Sequence, residues 1–507
     1  MVAATDGVAE QLSAKDSHRE SLHESPVQYT SMDDIEESLG DDGMVNDTMR
    51  RGHTKNDRDD MNRMGKRQEL IDVGLTNGGL AGLFWSYIWT FIGFGFVIFS
   101  LAEMASMAPI SGGQYHWVSE FASEKHQKFL SYVTGWLSVL SWQAGAASGS
   151  FLTGNIIQGL LTVNKPDYVA TPWRGTLLVF AMVALIYVFN IWVAQGLPMI
   201  QNMLLVVHVV GFLAVVIVLW VMAPHQPAKA VFTEFRNGGD WPNMGTLQGF
   251  QSTKNIGLKI SDYTTKGVDA TAHMAEEVKD AGRNVPNAIA WGYIVNGVLG
   301  VILIISYIFS IPSVEDALND PSTFPFIYVF RNAVSTQGVN ALTVVILVLR
   351  QRTPLRPMLS AVHPTKHIPA NAILVSCLIS VLLSLINLGS SAAFHAIISL
   401  NVAALMATYL VSIGCVLYRR LTRPDLIPHA RWSLGPVVGP TANVLGLAYV
   451  VFALFWSFWP SDRHINANNF NWSIVIFSAV VIVSLVMYFM QGKKTYSGPV
   501  ATVSGRG

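Results

Sequence analysis

Few residues in this chain have the type and spacing to do chemistry. Asp269, His273, Glu276 and Glu277 fall within ten residues. On a helix Asp269 and His273 share a face at spacing four, and His273 and Glu276 at spacing three. Such a cluster could ligate a metal, but the HExxH spacing of zinc proteases is missing, and a structural use is favoured. Glu103 follows the apolar run 79–102. A carboxylate in a membrane span is costly and often serves proton coupling. The plainer use, which the position favours, is an interfacial acid that hydrogen-bonds a neighbouring helix end. Gln143 is a polar side chain beside Trp142, followed by Ala144-Gly145-Ala146-Ala147. Those small residues equally suit close helix packing. Ser399 and Asn401 divide in the same way between packing and binding. His208 and His395 are lone histidines in apolar runs and read as packed residues.

Other motifs carry less. Gly112-Gly113 follows a helix-like run and has no phosphate-loop lysine, so nucleotide binding is unsupported. Cys377 and Cys415 sit in apolar runs and read as small buried residues, without a disulfide or thiolate metal site. Asn471-Trp472-Ser473 matches the glycosylation pattern but lies too close to an apolar run to be trusted as one. No cofactor and no nucleic-acid partner is expected.

The elements that must position these residues are set by composition. Of 507 residues, 51% are hydrophobic and 13% are Asp, Glu, Lys or Arg, with a formal net charge of zero. Soluble domains carry roughly a quarter charged residues, so this chain lacks the surface it would need in water. Residues 1–68 are polar and acidic, turn basic at Arg50, Arg51, Lys55, Arg58, Arg63, Lys66 and Arg67, and are expected to form a disordered tail. Apolar runs then recur at 79–102, 130–161, 175–195, 199–222, 288–311, 370–388, 393–418, 437–459 and 471–490. The second is long enough for a span plus a continuing half-helix. Trp456, Trp459 and Trp472 near run ends fit an aromatic belt. Unpaired backbone groups cannot face lipid, so the expected class is an all-α polytopic membrane protein. A transmembrane domain at 69–495 and a C-terminal tail at 496–507 follow.

Loop charge tests this topology. The segments 350–369 and 419–436, the tail from Lys493-Lys494, Lys279 with Arg283, and the 109–128 loop are basic and belong inside. The segment 312–338 carries Glu315, Asp316 and Asp320 and belongs outside. Nine spans cannot satisfy all of these. One crossing is missing before residue 79, one within 223–287, and one where Val339–Leu349 is too short to span alone.

The stretch Ser100-Leu101-Ala102-Glu103-Met104-Ala105-Ser106-Met107-Ala108-Pro109, followed by Ile110-Ser111-Gly112-Gly113-Gln114-Tyr115-His116-Trp117-Val118-Ser119, resembles a hallmark of fungal amino acid permeases. Specifically it resembles the GABA/choline permease group of the amino acid–polyamine–organocation superfamily. His273-Met274-Ala275-Glu276-Glu277-Val278 through Asn284-Val285-Pro286, Tyr132-Val133-Thr134-Gly135-Trp136, and the 370–420 region ending Leu417-Tyr418-Arg419-Arg420 are similar to the same group. The resemblance implies a LeuT-like fold of two inverted five-helix repeats and two further helices, twelve in all. It implies a permease, a proton-coupled symporter of amino acids, GABA or choline-like amines rather than an enzyme, with both termini cytoplasmic. The membrane it implies is the plasma membrane, with the vacuolar membrane as alternative. It assigns Gln143, Asp269, Ser399 and Asn401 to substrate binding or gating, and Glu103, Glu276 and Glu277 to proton coupling or gating.

The family's first, sixth and eighth helices would occupy the places of the three missing crossings. Such folds bind substrate against unwound stretches of the first and sixth helices. The alternative to a working permease is therefore a transport-inactive shortened form, or an incomplete gene model. A membrane enzyme would need acids, bases or metal ligands clustered within spans, and a receptor has no support of its own.

Overall fold

The computed structural model describes residues 71–165, 167, 168, 171–192, 197–238, 271–273, 275–318, 320, 322, 324–350, 370–385, 393–459 and 470–499. The expected 1–68 tail and the interrupted run around 247–268 lie outside them. Helices, turns and short connections make up the described residues. They run α1 (Ile71–Met107), α2 (Gln114–Phe121), α3 (Glu124–Asn164), α4 (Pro172–Trp192), α5 (Leu197–Met222), α6 (Ala228–Thr233) and α7 (Ala281–Phe309). There follow α8 (Val314–Leu318), α9 (Pro325–Ala333), α10 (Thr336–Arg350), α11 (Ala370–Leu385), α12 (Ala393–Thr422), α13 (Gly435–Ser457) and α14 (Ser473–Met487). A π-helical turn, Tyr488–Gly492, carries α14 on into Lys493–Thr495.

Seven described helices are long and apolar enough to cross a membrane, namely α1, α4, α5, α7, α12, α13 and α14 with its extension. The other two runs expected to span are also helical. The run 130–161 folds inside α3, one continuous helix of 41 residues that is richer in Ser, Gly, Thr and Gln. The run 370–388 forms the shorter α11. Helices α4, α5 and α14 present mostly apolar side chains outward, as lipid-facing helices do, whereas α12 is buried over most of its length.

Hydrogen bonds between elements sort the helix ends onto two faces. Ser106 at the end of α1 donates to the Gly282 carbonyl at the start of α7 (2.5 Å) and accepts from the Trp432 N–H before α13 (2.9 Å). Arg419 near the end of α12 donates to the Ala122 carbonyl (3.1 Å), and Lys128 of α3 donates to the Lys493 carbonyl (2.8 Å). Arg431 and Asp280 form an ion pair on this face. Lys125, Lys279, Arg283, Arg420, Arg423 and Lys494 belong to the same ends, so this is the basic face.

On the opposite face Gln226 N–H donates to the Phe309 carbonyl (2.8 Å). The Asn164 and Asn340 carboxamides bond each other reciprocally (2.7 Å), and Asn471 donates to the Ser457 carbonyl (2.9 Å). Asp320 pairs with Arg331 there at 2.9 Å.

Helix α1 enters from this opposite face. Its helical geometry breaks at Gly79 (φ 66°, ψ −158°), where a Cβ would lie 3.1 Å from the Arg236 nitrogen and 3.2 Å from the Glu234 carbonyl oxygen. Only glycine combines that φ with so close an approach. The break lets the Thr76 carbonyl accept from Gly238 N–H (2.8 Å). From there α1 makes a single crossing to the basic face. Midway it crosses α7, where Tyr87 Oη donates to the Gly297 carbonyl (2.8 Å) and Tyr293 Oη donates to the Phe91 carbonyl. Gly297 is what permits the approach, since a Cβ there would lie 1.9 Å from the Phe91 ring.

Candidate functional site

The candidate residues fall into two groups. The first lies where α3 packs between α11 and α12. Ala144 and Ala147 of α3 are buried against Ile397 and Leu400 of α12, and such small residues let two helices approach closely. Ser141 donates to the backbone carbonyl (3.1 Å) and Oδ1 (3.0 Å) of Asn401. Gln143, two residues on, turns to the other side and donates from Nε2 to Ser376 Oγ of α11 (2.9 Å). Its Oε1 is buried without a hydrogen-bond partner among the described residues. Ser399 is buried in α12. It cannot share the Asn401 face, because two residues turn a helix by ~200°. Gln143 and Asn401 therefore engage different helices and are not brought together.

A buried carbonyl without a donor costs about 1–3 kcal/mol. Gln143 Oε1 is thus an acceptor held ready for an N–H or a cation, one residue after the half-buried Trp142 on the same helix. The Trp142 ring meets His273 edge-on, with centroids 5.9 Å apart.

The second group lies on the basic face. The loop Ile110–Gly113 joins α1 to α2. Its Ser111 donates from the backbone N–H (3.1 Å) and from Oγ (2.7 Å) to Glu276 Oε1. His273 Nδ1 meets the Ser111 carbonyl. His273 and Glu276 thus each commit one polar atom to the same loop residue. Gly113 has φ 58°, and a Cβ there would lie 3.1 Å from His273 Cε1, so the second glycine of the pair is required by both backbone and neighbour. Trp117 Nε1 donates to the Ala108 carbonyl (2.9 Å) and closes the turn.

Electrostatics follow from this packing. Burial lowers the pKa of His116 from the usual imidazole value, while the Glu120 and Glu276 carboxylates act to raise it. Burial, and then the Glu276 charge, raise the Tyr115 phenol.

Glu103 lies in the same region with 3% exposure. Its Oε1 accepts from Ser433 Oγ (3.0 Å) and from Leu434 N–H (3.2 Å), just before α13 begins. Its Oε2 lies 2.7 Å from an Arg420 guanidinium nitrogen; the two are in ion-pair contact, off the line of a hydrogen bond. Gly439 leaves the space, as a Cβ there would lie 2.2 Å from Arg420 Nη1. The carboxylate is thus committed to a helix start and a cation.

Of the remaining candidates, Asp269 lies outside the described residues. Glu277 ends a short helical turn, Ala275–Glu277, and its side chain lies outside the description, as does that of His395 in α12. His208 is buried in α5, and Cys377 and Cys415 are buried and free. Ser111, Arg420, Ser433 and Gly439 are contributors that sequence reasoning did not single out. Arg420 carried one signal, a basic residue at the end of a span in a chain with an acid at the end of another.

Known proteins agree with this architecture. The amino acid permease family profile matches residues 68–351 and 352–480. A putative amino acid/polyamine transporter of Macrophomina phaseolina is 28% identical over 80% of this chain and 93% of its own length. The choline transporter of Saccharomyces cerevisiae is 25% identical over 78% of this chain and 73% of its own. Among solved structures, a manganese transporter of Eremococcus coleocola in complex with an aromatic bis-isothiourea compound superposes with a TM-score of 0.51. It is 13% identical and matches 89% of this chain and 96% of that one. That likeness shows the fold, which is of the LeuT-like kind. Matched along most of its length, this multi-pass membrane chain belongs to the amino acid permease family, whose members are transporters and not enzymes.

Proposed function

We propose that the cargo of this permease is a small solute bearing a cationic nitrogen, an amino acid or a choline-like amine, moved together with protons across the plasma membrane. The observation that carries this reading is Gln143 Oε1, a buried acceptor without a donor among the described residues, on the helix that also bears Trp142. An ammonium is a donor that such a carbonyl accepts, and a quaternary ammonium is attracted to an indole face. Gln143 is the first residue assigned to cargo. Ser399, Asn401 and, beyond the described residues, Asp269 are assigned supporting or gating parts. Glu276, Glu277 and Glu103 are assigned to gating and proton movement. The basic face is assigned to the cytoplasm by its lysines and arginines, and the C-terminus with it; the N-terminus is assigned there by family likeness. The vacuolar membrane is the alternative location.

A second reading has its own support. Helix α1 begins on the face opposite the basic one and crosses once. Helix α10 has 15 residues, and at 1.5 Å per residue it is about 22 Å long, against ~30 Å of hydrocarbon. On that reading the chain as written is a shortened, transport-inactive permease.

Uptake of labelled amino acids and choline in cells lacking their own permeases separates the two, with surface delivery checked. Uptake that Gln143→Leu reduces about tenfold and a protonophore abolishes supports the first reading. Normal delivery without uptake of any amine overturns it and supports the second.

A further inference from the structure

We propose that the C-terminal segment Gly492–Pro499 is a strap that closes over α2 and the start of α3 and holds the Ile110–Gly113 loop in its clasp. The contacts are independent of one another. Tyr496 Oη and Ser131 Oγ lie 2.9 Å apart, and Ser131 Oγ also donates to the Tyr115 carbonyl (2.9 Å). One buried hydroxyl thus ties the strap to the helix that follows the loop. Lys128 Nζ holds the Lys493 carbonyl at 2.8 Å. Tyr132 packs against both Tyr488 (5.4 Å between centroids) and Tyr496 (5.3 Å), and Phe129 against Tyr488 (5.1 Å).

The strap's far end turns at Gly498, φ 83°, directly over α2. A Cβ on Gly498 would lie 3.5 Å from Ser119 Oγ, and Ser119 is only 1% exposed, its hydroxyl without a hydrogen-bond partner among the described residues. The Gly498 turn thus covers a hydroxyl without bonding it among the described residues, and lifting the cover would give that hydroxyl back its water. Lys493, Lys494 and Thr495 beside it are exposed. Tyr115, whose carbonyl Ser131 holds, comes two residues after the loop in which Ser111 bonds Glu276 and His273, so lifting the strap frees the α1–α2 loop to leave them. The segment therefore sets how readily the basic face opens.

The test needs no transport. In the full chain, purified in detergent, Ser119→Cys reports on the cover through its rate of reaction with a water-soluble maleimide. The parent chain, whose Cys377 and Cys415 are buried, gives the background. Tyr496→Phe removes only the hydroxyl, and losing one hydrogen bond of about 1 kcal/mol raises the open fraction about fivefold. Ser457→Cys, at a buried position on the opposite face, is the control. The expected result is labelling at position 119 that rises about fivefold with Tyr496→Phe, while labelling at 457 does not change. An unchanged rate at 119 overturns the strap. So does an equal rise at both positions, which means general loosening.

Discussion

Glu103 and Arg420 face each other at 2.7 Å with side chains only 3% and 11% exposed, across the contact of α1 with α12. The pair is joined to α13 through Ser433, Leu434 and the empty side-chain position of Gly439. Breaking a buried pair from one side strands a charge, which costs about 3–5 kcal/mol. Arg420→Met should therefore lower the heat-unfolding midpoint sharply, and Glu103→Gln less, because the amide still accepts from Leu434. Replacing both by Met should recover most of the loss, since buried pairs exchange for apolar residues at little net cost. Gly439→Ala drives a methyl into the guanidinium and should cost about 1–3 kcal/mol. Gel filtration after stepwise heating reads all four variants. A double variant no better than Arg420→Met would mean that the pair itself is not the source of the loss.

His116 gives the basic face a pH dependence. Its folded pKa is lowered by burial, so below the unfolded value of ~6.5 the unfolded chain binds a proton that the folded chain does not. Stability from this group is present above pH ~6.5 and falls as the pH drops toward the folded value. The midpoint of the parent chain should decline from pH 7.5 to 5.5 more steeply than that of His116→Gln, both measured in one buffer series. Parallel slopes would refute the assignment.

The α1–α7 crossing offers two substitutions of unlike size. Tyr87→Phe deletes one buried hydrogen bond to the Gly297 carbonyl and should cost about 1 kcal/mol. Gly297→Ala asks the Phe91 ring to leave its place, because the ring edge fills the space a methyl would need. Thermal midpoints should rank parent, Tyr87→Phe, then Gly297→Ala, with the second step the larger.

The Asn471 sequon should carry no glycan. Asn471 is 6% exposed, donates to the Ser457 carbonyl at the end of α13, and accepts from Ser473 Oγ (2.7 Å) at the start of α14, so both ends of its carboxamide are spent on joining the two helices. Endoglycosidase should leave the electrophoretic mobility of the parent chain unchanged, and Asn471→Gln should destabilise without altering that mobility.

Most of the helix layout was legible because a spanning helix must be apolar for about twenty residues, a signal that a single sequence carries. The charges of the 109–128, 419–436 and 312–338 segments likewise foretold which ends share a face. The limits lay in pairing. Glu103 announced itself as an acid beside a span, but nothing near it in the chain names Arg420, Ser433 or Leu434. The Gly112-Gly113 pair was visible as a turn, yet its reason, the approach of His273 to Gly113, depends on a segment far along the chain. Gln143 and Asn401 looked alike in sequence. Packing separates them, because Ser141 and Gln143 point to different sides of α3.

The π-helical turn Tyr488–Gly492 decides where the last residues of the fold point. Removing one residue from a helix rotates everything after it by ~100°. Deleting Met490 would shift the phase of Tyr496 and Gly498 by that angle, carrying the phenol away from Ser131 and the Gly498 turn off Ser119. The extra residue is thus a phase setting, and the C-terminal end of this permease meets its own second helix only while that single residue is kept.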